Sequence, residues 1–333
     1  MNENNVKKIL FIRSGIPSYF PALETAIFNS LQRVSGNVIM VDIEKSIKTA
    51  IRTKPDFILV LHGLREEFNQ IIPCLKNFGF TTGLWLTDDP YYTDLTQNIV
   101  LYYDYIFTQD LNCIKFYRNR GCKKVFHLPL AADHDLYKPD FKDESNQYEI
   151  SFIGTAFENR LEFVDSISEY LISKNSKIVG FGWEKLKNYK ILKEKIKLLP
   201  FGKYEDALQY YLSTKININL HRSPYDKELN CNSANIAAYS VNNRTFEINS
   251  SGSFQLTDIR PDISKHYIPS IEIETFCNPQ EFIEKTEYYL ENVKERKKIA
   301  KNGLVKTLNN HTYDKRVMQL LNYINEMDSY LKK

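Results

Sequence analysis

Two Rossmann-like α/β domains, one after the other, are the fold class this 333-residue sequence predicts. Three observations predict it. Short apolar runs alternate with segments of helical periodicity along the whole chain, and fully apolar strands of that kind belong in parallel sheets covered on both faces. The length exceeds the roughly 250 to 300 residues at which a single core stops growing. Finally, the polar stretch 138–147 (KPDFKDESNQ) holds Pro139 and no large aliphatic residue, which reads as a linker. The expected division is 1–140, 148–310 and a C-terminal helix within 311–333. Two such domains facing each other would leave a deep cleft between their strand ends.

The first domain is read from residues 7–12 (KKILFI), 38–41 (VIMV), 57–61 (FILVL), 82–86, 105–108 and 125–128 as strands. Helical spacing follows at 22–34, 44–52, 66–76 and 111–120. Ligands of such sheets sit beyond the carboxyl ends of the strands. Those ends carry Ser14-Gly15, His62-Gly63, Asp88-Asp89-Pro90, Gln109-Asp110 and Pro129-Leu130. No GxGxxG follows the first strand, so a nicotinamide dinucleotide site is not supported.

A second alternation starts at 150–153 (ISFI), which runs into Gly154-Thr155 and a helix bearing Arg160. Next come 177–179 before Gly180-Phe181-Gly182-Trp183, then 195–199 before Gly202-Lys203-Tyr204, and 216–220 (ININL) ending at His221-Arg222. Residues 223–240 are polar and irregular. After 254–258 the pattern predicts a strand at 271–273, a helix over 279–303, and an amphipathic helix over 312–331 with Thr312 as its cap.

Composition narrows the function classes. Basic residues number 44 and acidic ones 41, interspersed, and a net charge of +3 is too small to mark a nucleic-acid binder. The five cysteines (Cys74, Cys113, Cys122, Cys231, Cys277) form no CxxC, which argues against a disulfide framework or a zinc site and for a reducing, cytoplasmic setting. No apolar stretch approaches the length of a membrane span or signal peptide. Any membrane association is expected to be peripheral.

The stretch 242–258 (NNRTFEINSSGSFQLTD) organises the second half. Asn242 or Asn243 can cap a short helix, Arg244 falls in its first turn, and Glu247 lies three residues on, on the same face. A helix start offers free N–H groups and a partial positive charge, which with an arginine makes an anion site. A carboxylate one turn deeper suits a vicinal diol. Ser250, Ser251 and Gly252 carry no bulk, so a ligand could approach the backbone there. A nucleoside diphosphate fits both halves, although the spacing alone also allows a solvated Arg244–Glu247 pair.

The run RTFEINSSGSFQLTD at 244–258, with residues 278–303 and HTYDKR at 311–316, resembles the C-terminal half of CgeB-like spore-maturation glycosyltransferases. LWLTDDPY (84–91), LPLAADHDLYKP (128–139) and SFIGTAFENRLEF (151–163) are similar to that family's first domain and hinge. The resemblance implies the GT-B architecture, an acceptor on the first domain, a sugar nucleotide on the second, and a C-terminal segment that crosses back to the first. It places ribose hydroxyls on Glu247 and the diphosphate at Arg244 and residues 250–252. Gly154, Thr155 and Arg160 take the position of a phosphate loop, without the lysine that often follows, and Lys203 and Tyr204 lie near the base. Gly15 and Gly182, at strand ends, are further candidate contacts. His311 and Arg316 read as structural.

Glycosyl transfer needs help for the leaving diphosphate and a base for the acceptor hydroxyl. Arg222 and Arg244 are candidates for the first task; His62, Asp88 and Asp89 are candidates for the second. His221 can meet a sugar hydroxyl or a phosphate, or simply end its strand. Adjacent carboxylates on an extended segment point apart, so Asp88-Asp89 is not expected to hold a metal, and no cofactor is required. The expected activity is transfer from a UDP-hexose or UDP-N-acetylhexosamine to a glycan or protein acceptor of a spore or cell surface. A sugar-nucleotide epimerase and a non-enzymatic nucleotide-sugar-binding protein are the alternatives. Many retaining relatives carry a second carboxylate eight residues before the ribose-binding one. That position is Tyr239, which leaves the stereochemical outcome open.

Overall fold

The computed structural model describes residues 8–17, 20–140, 147–200 and 207–330. They form two compact units. The first comprises the chain up to Leu130, Asn230–Ser240, and the segment from Tyr313 onward; the second comprises Ala131–Leu229 and Val241–Thr312.

The first unit is a six-stranded parallel sheet of β1 (Ile9–Ile12), β2 (Val38–Val41), β3 (Phe57–Leu61), β4 (Thr82–Leu86), β5 (Tyr105–Thr108) and β6 (Val125–His127). The strand order is β2-β1-β3-β4-β5-β6. All residues of β1, β3 and β4 are buried, as an apolar strand covered on both faces must be. Each buried Ile, Leu or Phe there stabilises the unit by about 1.5–3 kcal/mol. Because β1 has β2 on one side and β3 on the other, the order reverses between β1 and β3, where a parallel sheet opens a crevice. Ser14-Gly15 and His62-Gly63 stand at that reversal.

The second unit repeats the plan with β7 (Tyr148–Ile153), β8 (Ser176–Gly180), β9 (Ile196–Leu198), β10 (Thr214–Asn219), β11 (Gln255–Asp258) and β12 (Glu274–Phe276), ordered β12-β11-β10-β7-β8-β9 and parallel throughout. Its reversal lies between β7 and β10. Phe152, Phe163, Trp183, Ile216, Leu256 and Phe282 anchor its core. The last strand is Glu274–Phe276 rather than 271–273, and the helix expected over 279–303 is two, Pro279–Glu291 and Val293–Asn310, parted at Asn292.

The boundaries differ from the expected 1–140, 148–310 and 311–333: the opening stretch of the first unit ends at Leu130, so residues 131–140 belong to the second, and one later segment moves the other way. Asn230–Ser240, read as part of the second domain, lies in the first unit. Two carboxylates of the first unit, Asp94 and the buried Asp110, account for this. Asp110 accepts hydrogen bonds from the backbone N–H groups of Tyr239 (2.8 Å) and Ser240 (3.0 Å), and Asp94 accepts from Ser233 N (2.9 Å). The backbones of Tyr91 and Cys231 are bonded at 2.8 Å. The helix Tyr313–Tyr330 also belongs to this unit: Asp314 accepts from Arg33, Tyr323 stacks on Phe126, and Arg316 Nε donates to the Pro129 carbonyl.

Candidate functional site

In the second unit the chain leaves β7 at Gly154, with φ +152°. A side chain there would crowd two guanidinium groups. A methyl on Gly154 would lie 3.0 Å from Arg244 Nη2 and 3.1 Å from Arg160 Nη1. Its carbonyl accepts from Trp183 Nε1 at 2.8 Å. Arg160, 4% exposed, sits in the first turn of the helix Glu158–Ser166 and ties the ends of β7 and β10 together. Its Nε donates to the Leu220 carbonyl (2.8 Å) and its Nη1 to the Thr155 carbonyl (2.9 Å). Gly154, Arg160 and Arg244 therefore meet at the point of strand reversal.

Arg244 arrives from the helix Asn243–Ser250. Asn242 is its cap: the side-chain oxygen accepts from Thr245 N at 2.9 Å, and Asn219 on β10 holds the cap in place. Arg244 Nε is buried with no hydrogen-bond partner among the described residues. A donor buried in that way costs about 1–3 kcal/mol unless a ligand or water meets it. One turn on, Glu247 is 7% exposed and accepts from Asn243 Nδ2 at 2.8 Å. Burial pushes its carboxyl up to about 7, against the pull of Arg244. The helix start thus combines a fixed cation, the positive end of a dipole and a buried carboxyl that accepts hydrogen bonds.

Off β10 stands His221, 1% exposed. Its Nδ1 lies 2.5 Å from Asp258 Oδ1, and its backbone N donates to the same oxygen at 2.8 Å. Nε2 is buried and unpartnered among the described residues. Burial lowers the imidazole's pKa and favours its neutral form.

Several expectations for this unit are corrected. Ser250, Ser251 and Gly252 do not meet the helix start. They form its C-terminal end, where the dipole is negative, and their groups are used internally. Ser250 Oγ donates to the Tyr137 carbonyl (2.6 Å), Ser251 Oγ to the Ile248 carbonyl (2.7 Å), and Gly252, at φ +73°, packs against Pro139. The guanidinium of Arg222 lies 4.4 Å over the Phe157 ring and donates to the Leu229 carbonyl, which gives it a structural occupation instead of a place beside a leaving group. Gly182, at φ +85°, makes the left-handed turn into the short helix Trp183–Lys185, against Ala156. Thr155 contributes its carbonyl to Arg160. Lys203 and Tyr204 lie outside the described residues.

In the first unit His62 takes φ +66°, a conformation that is costly for a side-chain-bearing residue and concentrates at functional sites. Its Nδ1 is 2.9 Å from Thr87 Oγ1 and 3.4 Å from Asp88 Oδ2, while Thr87 Oγ1 donates to that Asp88 carboxylate at 2.9 Å. With the hydroxyl proton spent on Asp88, Thr87 must accept from His62, so the ring proton is on Nδ1 and Nε2 carries the lone pair.

The neighbouring carboxylates part company. Asp89 turns into the core, 2% exposed, accepting from Thr108 Oγ1 and Tyr117 OH, each at 2.6 Å. Burial pushes it up to about 7. Its candidacy as a base is withdrawn, because both donors already hold it away from any substrate.

Gly15, at φ +73°, borders a cavity of about 270 Å³ with Arg13, Glu24, Asp42, Glu44 and Arg65 on its wall. The structure thus puts Gly15 beside charged side chains of the first unit. His311 Nε2 donates to the His266 carbonyl (3.0 Å), a structural contact. Thr87 and Asp258, which orient the two histidines, were not singled out from sequence.

Residues 160–322 match the family described as glycosyl transferase-like. The chain is 28% identical over 311 residues to the spore protein CgeB of Bacillus subtilis strain 168, covering 92% of this chain and 95% of that protein. Among solved structures, HepE of Anabaena in complex with UDP-glucose is similar with a TM-score of 0.67 at 12% identity, over 96% of this chain and 99% of that one. Sucrose-phosphate synthase of Thermosynechococcus elongatus is similar with a TM-score of 0.65 at 8% identity, over 97% and 100%. The likeness to CgeB extends over almost the whole chain, the glycosyl transferase-like match lies within residues 160–322, and the fold is the GT-B fold. Among the described residues, no helix is long and apolar enough to cross a membrane.

Proposed function

The chain is CgeB-like and of the GT-B fold, and from that premise we propose that it transfers a sugar from a nucleoside diphosphate donor to a hydroxyl acceptor. The observation that carries this reading is the meeting of Arg244, Arg160 and the side-chain-free Gly154 at the start of the helix that also bears Glu247. The diphosphate takes the N–H groups of the helix start and the unpartnered Arg244 Nε, and Glu247 accepts from the ribose diol. A uridine donor is supported by HepE, solved with UDP-glucose. The donor class is a UDP-hexose or UDP-N-acetylhexosamine, and the acceptor a glycan or protein of a spore or cell surface.

In the reaction the acceptor oxygen bonds to the anomeric carbon as the bond from that carbon to the diphosphate breaks. The nucleoside diphosphate leaves with the electron pair. Arg244 and the helix dipole offset its charge, which is why no metal ion is assigned to the leaving group. His62 Nε2 is the group of the first unit equipped to take the acceptor's proton. Thr87 fixes the tautomer, and Asp88, 3.4 Å from Nδ1, faces the charge the ring then carries.

The test is incubation with labelled UDP-sugars and analysis of products. Release of UDP, slow without an acceptor and faster with glycan acceptors, is expected. An isomerised sugar nucleotide would replace this reading with an epimerase, and no turnover with intact binding would leave a binding protein.

A further inference from the structure

The proton inventory around His221 says what kind of ligand atom it is built to meet. Asp258 is fixed by two donors from a single residue, His221 N and Nδ1, through one oxygen. An ionised carboxylate accepts only, so Nδ1 must be the protonated nitrogen. Burial keeps the ring neutral, so Nε2 is then an acceptor with no proton to give. It is buried, and no described residue donates to it. Its place is at the reversal between β7 and β10, where Asn159 from the Glu158–Ser166 helix holds the His221 carbonyl at 2.8 Å.

The same reversal presents the opposite need at Arg244 Nε, a buried donor without an acceptor. A ligand that satisfies both must offer acceptor oxygens to one and an O–H donor to the other. Phosphate oxygens answer Arg244 and are the wrong chemistry for His221.

We propose that His221 Nε2 accepts a hydrogen bond from a hydroxyl group of the bound nucleotide sugar, and so selects a hydroxylated ligand at this position instead of contacting the diphosphate. This rests on the reading of the second unit as a nucleotide-sugar site. The hydroxyl belongs to the ribose or to the transferred sugar, and both present the same chemistry to Nε2.

The experiment is calorimetric titration of wild-type protein and His221→Phe with UDP-glucose, UDP and inorganic diphosphate, after unfolding curves have shown both proteins folded. Phenylalanine keeps the ring and removes the acceptor. A loss of about tenfold or more for UDP-glucose with an unchanged inorganic diphosphate affinity is expected. A loss confined to UDP-glucose identifies a hydroxyl of the sugar, and an equal loss with UDP identifies the ribose.

Should His221→Phe unfold, the wild-type protein labelled with ¹⁵N-histidine serves. His221 should show the Nδ1–H tautomer, and its Nε2 resonance should shift toward the hydrogen-bonded value when UDP-glucose binds. Unchanged affinity for every ligand, an equal loss with inorganic diphosphate, or an Nε2 resonance indifferent to UDP-glucose overturns the proposal. A wild-type protein that binds none of the three overturns the underlying nucleotide-sugar reading itself.

Discussion

Gly154 and Arg244 are packed so closely that a single methyl group on the glycine would lie 3.0 Å from the arginine's Nη2. The contact brings the end of the first strand of the second unit to the start of the helix Asn243–Ser250. A backbone this bare beside a guanidinium is what a diphosphate needs in order to reach both.

Gly154→Ala is therefore expected to cost more in binding than in folding. The new methyl displaces Arg244 and strains a φ of +152°. UDP-sugar affinity should fall about tenfold or more, and calorimetry checks it. Unchanged affinity would remove Gly154 from the site.

His62→Ala should lower turnover by about 10²- to 10⁴-fold while UDP binding stays intact. Thr87→Val tests the tautomer argument, since it removes the hydroxyl that accepts from Nδ1, and turnover should again fall with little change in UDP affinity. Kinetics of both variants with a saturating donor decide the matter. Wild-type rates in both would mean that the base lies elsewhere.

Asp89→Asn should behave differently from His62→Ala. Its partners Thr108 and Tyr117 are internal, so the variant is expected to lose about 1–3 kcal/mol of stability and to retain turnover while folded. Denaturant unfolding alongside an activity assay separates the two effects.

Stability should also depend on pH through two of the buried carboxyls. Asp89 and Glu247 are each pushed up to about 7, from 3.8 and 4.5, by burial. A carboxyl with a raised folded-state pKa keeps its proton longer in the folded chain than in the unfolded one. Its contribution is fully present below the unfolded value and is lost as pH rises through about 7. Asp89→Asn and Glu247→Gln should each flatten the fall of melting temperature between about pH 4 and 7. UDP-glucose binding acts the other way at Glu247, because a carboxylate accepts better from a diol, so its affinity should rise across pH 6 to 8.

A chelator should leave transfer intact if Arg244 and the helix start carry the leaving group. An activity lost with EDTA and restored by manganese would assign that task to a metal ion.

Most of the architecture was legible because a parallel strand buried on both faces reads as an apolar run, and β1 and β3 announce themselves. Asn242, Arg244 and Glu247 were legible because a cap, a first-turn cation and an i,i+3 partner are local features. What depends on distant partners was not. The segment Asn230–Ser240 has no apolar periodicity and is placed by Asp94 and Asp110, more than a hundred residues away. Small residues at 250–252 suit a ligand's approach and a tight helix end equally well, and only the Tyr137 and Pro139 contacts decide. Asp88 and Asp89 are chemically alike in sequence; burial alone sends one to Thr87 and the other to Thr108 and Tyr117.

The most direct measurement is titration of UDP-glucose into wild-type protein and Arg244→Ala by calorimetry. Binding by the wild type, with affinity about 10- to 100-fold weaker in the variant as a charge-assisted contact to phosphate is lost, is the predicted result. Equal affinity in the two proteins would contradict the account at its centre.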